Sequence, residues 1–146
     1  MGSYKPGGSE WYPGDIRQGG PNYTGLWYYG GQIAAAKGAG TIISASVYMR
    51  RSATNHGVNG GANVRLGVHN GAGPGQPFDL AAVEVRAQLG KGKDANVGLT
   101  AGQIGGLNGG WTGLALAPGS PSFTSPDYLR ADSGGASGAL TLTIQG

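Results

Sequence analysis

The sequence predicts an all-β chain, an antiparallel β-sandwich of about eight strands, with jelly-roll connectivity expected. Three observations predict it. Apolar and polar side chains alternate over short segments, most plainly in Ala139-Leu140-Thr141-Leu142-Thr143-Ile144-Gln145, and a period of two is the mark of a half-buried strand. The 32 glycines and 8 prolines cluster between these segments and follow no fixed period, which is turn chemistry. No segment of about ten or more residues carries the 3.6-residue periodicity of an amphipathic helix.

At the start of the chain, Met1-Gly2-Ser3 reads as an expression-derived leader, and the polar, Gly/Pro-containing stretch to Pro21 reads as a linker. Residues 22–146 are then expected to form one domain, cut from a longer protein. The segment Tyr23-Thr24-Gly25-Leu26-Trp27-Tyr28-Tyr29 is aromatic-rich and strand-like. Gln32 to Lys37 is the one helix candidate, with three alanines, but it is too short and too flanked by glycine to stand alone. Thr41 to Arg51 predicts a long strand with Ile43, Ala45, Val47 and Met49 inward and Ser44, Ser46, Tyr48 and Arg50 outward.

Asn59-Gly60 supplies turn residues that tolerate positive φ. Asn63 to His69 places Val64, Leu66 and Val68 inward with Arg65 and His69 outward. After a Gly/Pro loop over 70–77, Ala81 to Leu89 alternates Val83, Val85, Ala87 and Leu89 with Glu84, Arg86 and Gln88. Lys91 to Asp94 is a turn, Ala95 to Leu99 a short strand, and Thr100 to Gly110 an irregular or briefly helical crossing. Trp111 to Ala117 puts Thr112, Leu114 and Leu116 on one face; a Pro/Ser-rich loop then leads to a short strand from Tyr128 to Ala131 and to the terminal strand.

A formal charge of +3 with no run of five basic residues gives no reason to expect nucleic acid as a partner. Without cysteine there is no disulfide framework, thiolate nucleophile or cysteine-ligated metal. No apolar stretch approaches the roughly 18 residues of a membrane-spanning helix, so membrane insertion is not expected. No cofactor is expected either. The seven carboxylates are Glu10, Asp15, Asp79, Glu84, Asp94, Asp127 and Asp132; they read as turn and strand-end residues rather than a glycosidase pair.

His56 and His69 lack the helical spacing of a zinc site. Gly135-Ala136-Ser137-Gly138-Ala139 lacks the last glycine of a nucleophile elbow and precedes a strand. The chain is therefore read as a non-enzyme. Its aromatic set favours polar handles, seven tyrosines and three tryptophans against two phenylalanines, the types enriched at wet binding surfaces. A ring exposed on a strand can lie against a sugar while neighbouring polar groups bond its hydroxyls. Ligand-binding candidates are Trp27, Tyr28, Tyr48, Arg50, Arg65 and His69. Trp27 and Tyr29 can instead cap the core.

Four pieces occur in order: Gly25-Leu26-Trp27-Tyr28-Tyr29-Gly30, Ser44-Ala45-Ser46-Val47-Tyr48-Met49-Arg50-Arg51, Val64-Arg65-Leu66-Gly67-Val68-His69, and Ser137-Gly138-Ala139-Leu140-Thr141-Leu142-Thr143-Ile144. This order resembles the C-terminal β-sandwich domains of minor tail proteins, or tail fibres, of bacteriophages of actinobacteria. Gly113-Leu114-Ala115-Leu116 followed by Tyr128 is similar to the late part of that pattern. The resemblance implies a virion component at the tail tip, commonly trimeric, that touches the host envelope, with a cell-surface glycan or glycolipid as partner. It supplies no ligand residue. Alternatives are a purely structural trimerisation or decoration domain, and a carbohydrate-binding module of an enzyme.

Overall fold

Eleven strands and two short helices make up the described part of the computed structural model: β1 (Gly2–Tyr4), β2 (Trp11–Pro13), β3 (Ile16–Gln18), β4 (Thr24–Tyr28), α1 (Gln32–Lys37), β5 (Thr41–Arg50), β6 (Ala62–His69), β7 (Leu80–Leu89), β8 (Asp94–Gly98), α2 (Ala101–Asn108), β9 (Gly113–Leu116), β10 (Leu129–Ala131) and β11 (Leu140–Gln145). The structure describes residues 2–4, 11–13, 16–19, 23–53, 58–73, 76–119, 125–132 and 137–146, the first two segments by backbone alone.

All strand pairs are antiparallel, and the sheets pack face to face as a sandwich. One layer is six-stranded, in the order β2-β1-β4-β9-β6-β7. The other is built around β5. Odd residues of β5 bond toward β8, as in Leu99 N–H to the Ala45 carbonyl, while Tyr48 exchanges bonds with Gly138 and Ala139 on the opposite edge. Beyond β11, that same edge is continued by β10. Asp132 N–H donates to the Arg50 carbonyl and Ser52 N–H to the Arg130 carbonyl, and β10 pairs in turn with β3. The second layer thus runs β8-β5-β11 at one end and β5-β10-β3 at the other. The strand order establishes the sandwich and does not by itself establish a jelly roll.

Alternation fills the space between the layers. Trp27, Val64, Leu66, Val68, Leu114 and Leu116 point in from the first layer, and Ile16, Ile42, Val47, Met49, Val97 and Leu129 from the second. Each fully buried aliphatic side chain stabilises the fold by about 1.5–3 kcal/mol. The core is clasped at one end by α2. Thr100 and Gln103 form a capping box at its start, the Gln103 amide donates to the Leu66 and Ala82 carbonyls of the first layer, and the Asn108 amide pairs with both backbone groups of Ile42 in the second.

The eight strands expected from sequence are all present, and four departures have physical causes. The stretch to Pro21, expected as linker, contributes β1, β2 and β3; β1 pairs with β4 from Gly2↔Leu26 to Tyr4↔Thr24, and Ile16 and Gln18 are fully buried. Ile43, expected inward, is 52 % exposed, because a bulge pairs Ile144 with Ile42 and Thr143 with Ser44, turning Ile43 out and Ile42 in. Val85 is likewise turned out, since two register shifts between β6 and β7 place it opposite Arg65. The helix judged unable to stand alone does form as α1, pinned to the core through Ile33.

Candidate functional site

Of the six candidate residues, Trp27 and His69 are not at the surface. Trp27 belongs to the core; Gly138, at φ +90°, lets the chain cross the indole where any Cβ would overlap Cδ1 and Nε1. Tyr29 caps the same region, its phenol donating to the Gly138 carbonyl at 2.7 Å. His69 does lie on the outer face of the six-stranded layer, as alternation predicts, yet it is fully buried there. Glycine at 113 leaves the room for its ring.

The imidazole of His69 has both nitrogens engaged. Gly71 N–H donates to Nδ1 at 3.0 Å, and Nε2 lies 2.9 Å from the Trp27 carbonyl. Because Nδ1 accepts, the proton belongs on Nε2 and the ring is neutral. Burial pushes its pKa below the ordinary histidine value, partly offset by the Trp27 carbonyl. Tyr28 and Phe78 pack their rings edge-on against it, with centroids at 4.9 and 6.1 Å. Tyr28 is half-buried, its phenol oxygen enclosed with no hydrogen-bond partner among the described residues, and burial raises its pKa. This group holds β4, β6 and the 70–79 loop together and offers a ligand little.

Arg65 stands apart from these residues on β6. It is half-buried, its N–H accepted by the Gln18 side chain and its carbonyl taken by Ala117. The Gln18 amide also donates to the carbonyls of Asn63 and Asp127, so one buried side chain ties β3 to β6.

Tyr48 and Arg50 are brought together on the outer face of the second layer. Tyr48 donates to the Asp94 carboxylate at 2.7 Å, which raises the phenol pKa. Arg50 pairs with Asp132 at 2.5 Å, and that bond holds the guanidinium even more firmly protonated. Register places Ser46 beside Thr141, Ser44 beside Thr143, and Tyr48 beside Asn96. The face is therefore a surface of hydroxyls and amides around one aromatic ring and two fixed carboxylates. Such groups accept from and donate to sugar hydroxyls, and the ring supplies a π face for apolar CH groups.

A groove of about 420 Å³ opens between α1 and β11, lined by Tyr29, Gln32, Ile33, Ala36, Leu140, Leu142 and Ile144 among others. On the far side of α1 a smaller cavity of about 170 Å³ lies against Leu107 and Trp111. No group of three or more His, Cys, Asp or Glu residues is placed to hold a metal ion among the described residues. No helix among them is long and apolar enough to cross a membrane. His56, Glu10 and Asp15 lie outside the described residues.

The sequence reading missed the part played by Gln18, since β3 lies in the stretch read as linker. Compared with known proteins, the chain matches no family model, and no curated protein or solved structure matches it.

Proposed function

We propose that this chain is a non-catalytic adhesion domain of a phage tail tip that binds a glycan or glycolipid of the host cell envelope through the outer face of β5 and β8. The single observation that carries the binding reading is the Tyr48–Asp94 and Arg50–Asp132 network, in which four exposed or half-exposed polar side chains fix one another in place. A preorganised polar surface loses little side-chain entropy when a ligand arrives. The tail-tip setting is supported by the ordered sequence pieces from Gly25 to Ile144, and display of several copies would turn weak single-site contacts into avidity.

The test is binding of fluorescently labelled protein to actinobacterial cells, with a Gram-negative control. Selective labelling that is lost in Tyr48→Ala, with the fold intact by circular dichroism, is the expected result. Equal labelling of both cell types, or labelling indifferent to Tyr48→Ala, sinks the reading.

One observation favours a second reading, a structural domain that associates with copies of itself, as in a trimer. Tyr48 and the register from Leu140 to Thr143 leave the outer backbone edge of β11 unpaired among the described residues, and its sequence, Leu-Thr-Leu-Thr-Ile-Gln, carries no charge to discourage pairing with a second copy. Light scattering that shows a stable trimer, together with absent cell binding, selects this reading over the first.

A further inference from the structure

The second layer is left open on one side. β11 ends the sheet order β8-β5-β11, and its far edge meets no other strand among the described residues. Which backbone groups point to that edge follows from the bonds made on the other. Tyr48 N–H donates to the Ala139 carbonyl and Gly138 N–H to the Tyr48 carbonyl, so with a period of two Ser46 and Ser44 turn their groups to Thr141 and Thr143 opposite them. Ile42, opposite Ile144, gives both of its backbone groups to the Asn108 side chain. Leu140, Leu142 and Ile144 therefore direct their N–H and C=O groups away from β5.

The same three residues form the apolar row on the inner side of the strand. All three are only half-buried, because the groove against α1 leaves them open, whereas Val47 and Val64, inward on β5 and β6, are fully buried. Leu140–Gln145 carries no charged side chain and no proline, the usual guards of a free edge. Its pattern is also self-complementary. Turned antiparallel to a second copy about Leu142, the strand sets Leu142 opposite Leu142, Leu140 opposite Ile144 and Thr141 opposite Thr143, apolar against apolar on the inner face and hydroxyl against hydroxyl on the outer. A slip of one residue sets leucine against threonine and loses the match.

We propose that the β11 edge binds β11 of a second copy in this register, joining the two second layers into one sheet in the order β8-β5-β11-β11-β5-β8. This inference rests on the self-association reading and fixes its partner strand and its symmetry. Pairing uses up the edge on both copies, so association closes at a two-fold dimer rather than a trimer. The axis stands normal to the sheet, which turns both outer faces, each with its Tyr48, toward the same side. Two weak contacts to one surface are then made together.

Light scattering of the intact chain over a range of concentrations is expected to show a monomer–dimer equilibrium. The register is read by cross-linking, since the chain has no cysteine of its own. Thr141→Cys mixed with Thr143→Cys under oxidising conditions should give a disulfide-linked dimer of the two variants, because opposite residues of a non-hydrogen-bonded pair lie about 4.5 Å apart at Cα. Thr141→Cys alone should give little, its symmetry mate lying diagonally beyond the ~7 Å limit.

Thr141→Glu/Thr143→Glu sets glutamate opposite glutamate on both sides of the axis and should weaken the dimer at least about tenfold. Mixing it with Thr141→Lys/Thr143→Lys should restore association. Both threonines are exposed, and melting temperatures of all variants check the fold. A trimer, a dimer indifferent to the glutamate variant, or cross-linking no better in the mixture than with either cysteine variant alone overturns the inference and leaves the self-association reading standing. A monomer at every concentration overturns both.

Discussion

Acid should destabilise this protein through His69, and the sign follows from the ring's surroundings. Its pKa in the folded state is depressed below the ordinary 6.5 because it is buried, with Gly71 N–H pointing at Nδ1, the atom that would take the second proton. Among the described residues, the other groups that face it include the Tyr28 and Phe78 rings and the Trp27 carbonyl, none of them a carboxylate. The unfolded chain therefore binds a proton below about pH 6.5 that the folded chain refuses, and stability falls as pH drops through that value.

The slope reaches at most about 1.4 kcal/mol per pH unit for one proton. From pH 7 to pH 5 this integrates to about 2 kcal/mol while the folded ring stays neutral. Urea denaturation at pH 7, 6 and 5 measures it, with His69→Gln as the comparison. That variant loses stability at pH 7 but should lose less on acidification, because it lacks the buried imidazole whose protonation the fold opposes. Parallel pH profiles for the two proteins, or a folded-state His69 pKa at or above 6.5 by NMR, would refute the reasoning.

Three further outcomes are expected. Gly113→Ala drives a methyl group into the His69 ring and the Trp27 carbonyl; a loss of about 3 kcal/mol should lower the melting temperature by roughly 6–12 °C, and a change under about 2 °C would show that the ring moves aside freely. Gln18→Ala strips partners from the Asn63 and Asp127 carbonyls and the Arg65 amide; chemical denaturation should report a loss of about 2–4 kcal/mol. Ile42→Ala should cost about 2–5 kcal/mol and Ile43→Ala less than about 0.5 kcal/mol, a contrast that equal effects would refute along with the bulge.

Strand-length alternation made most of the sandwich legible. Val64, Leu66 and Val68 pointed inward as written, and the partners of β5 extend a pattern visible in Ser44, Ser46, Tyr48 and Arg50. What could not be read depends on residues far apart in sequence. The inversion of Ile42 and Ile43 comes from a bulge against β11, about a hundred positions away. The burial of His69 needs the space left by Gly113 on a neighbouring strand. Within the candidate site, Tyr48 and Arg50 could be paired from their spacing, but their carboxylate partners Asp94 and Asp132 look like ordinary turn residues until β8 and β10 are laid beside β5.

The α2 clasp has a consequence for the working conditions of the molecule. Gln103 grips one layer and Asn108 the other, both through uncharged amides bonded to backbone groups. Neither acid nor brine alters those four bonds, since nothing in them ionises and nothing in them is screened. The distance between the two layers is thereby uncoupled from the medium. The exposed polar face, whose ion pair does respond to ionic strength, rides on a frame whose geometry does not follow it.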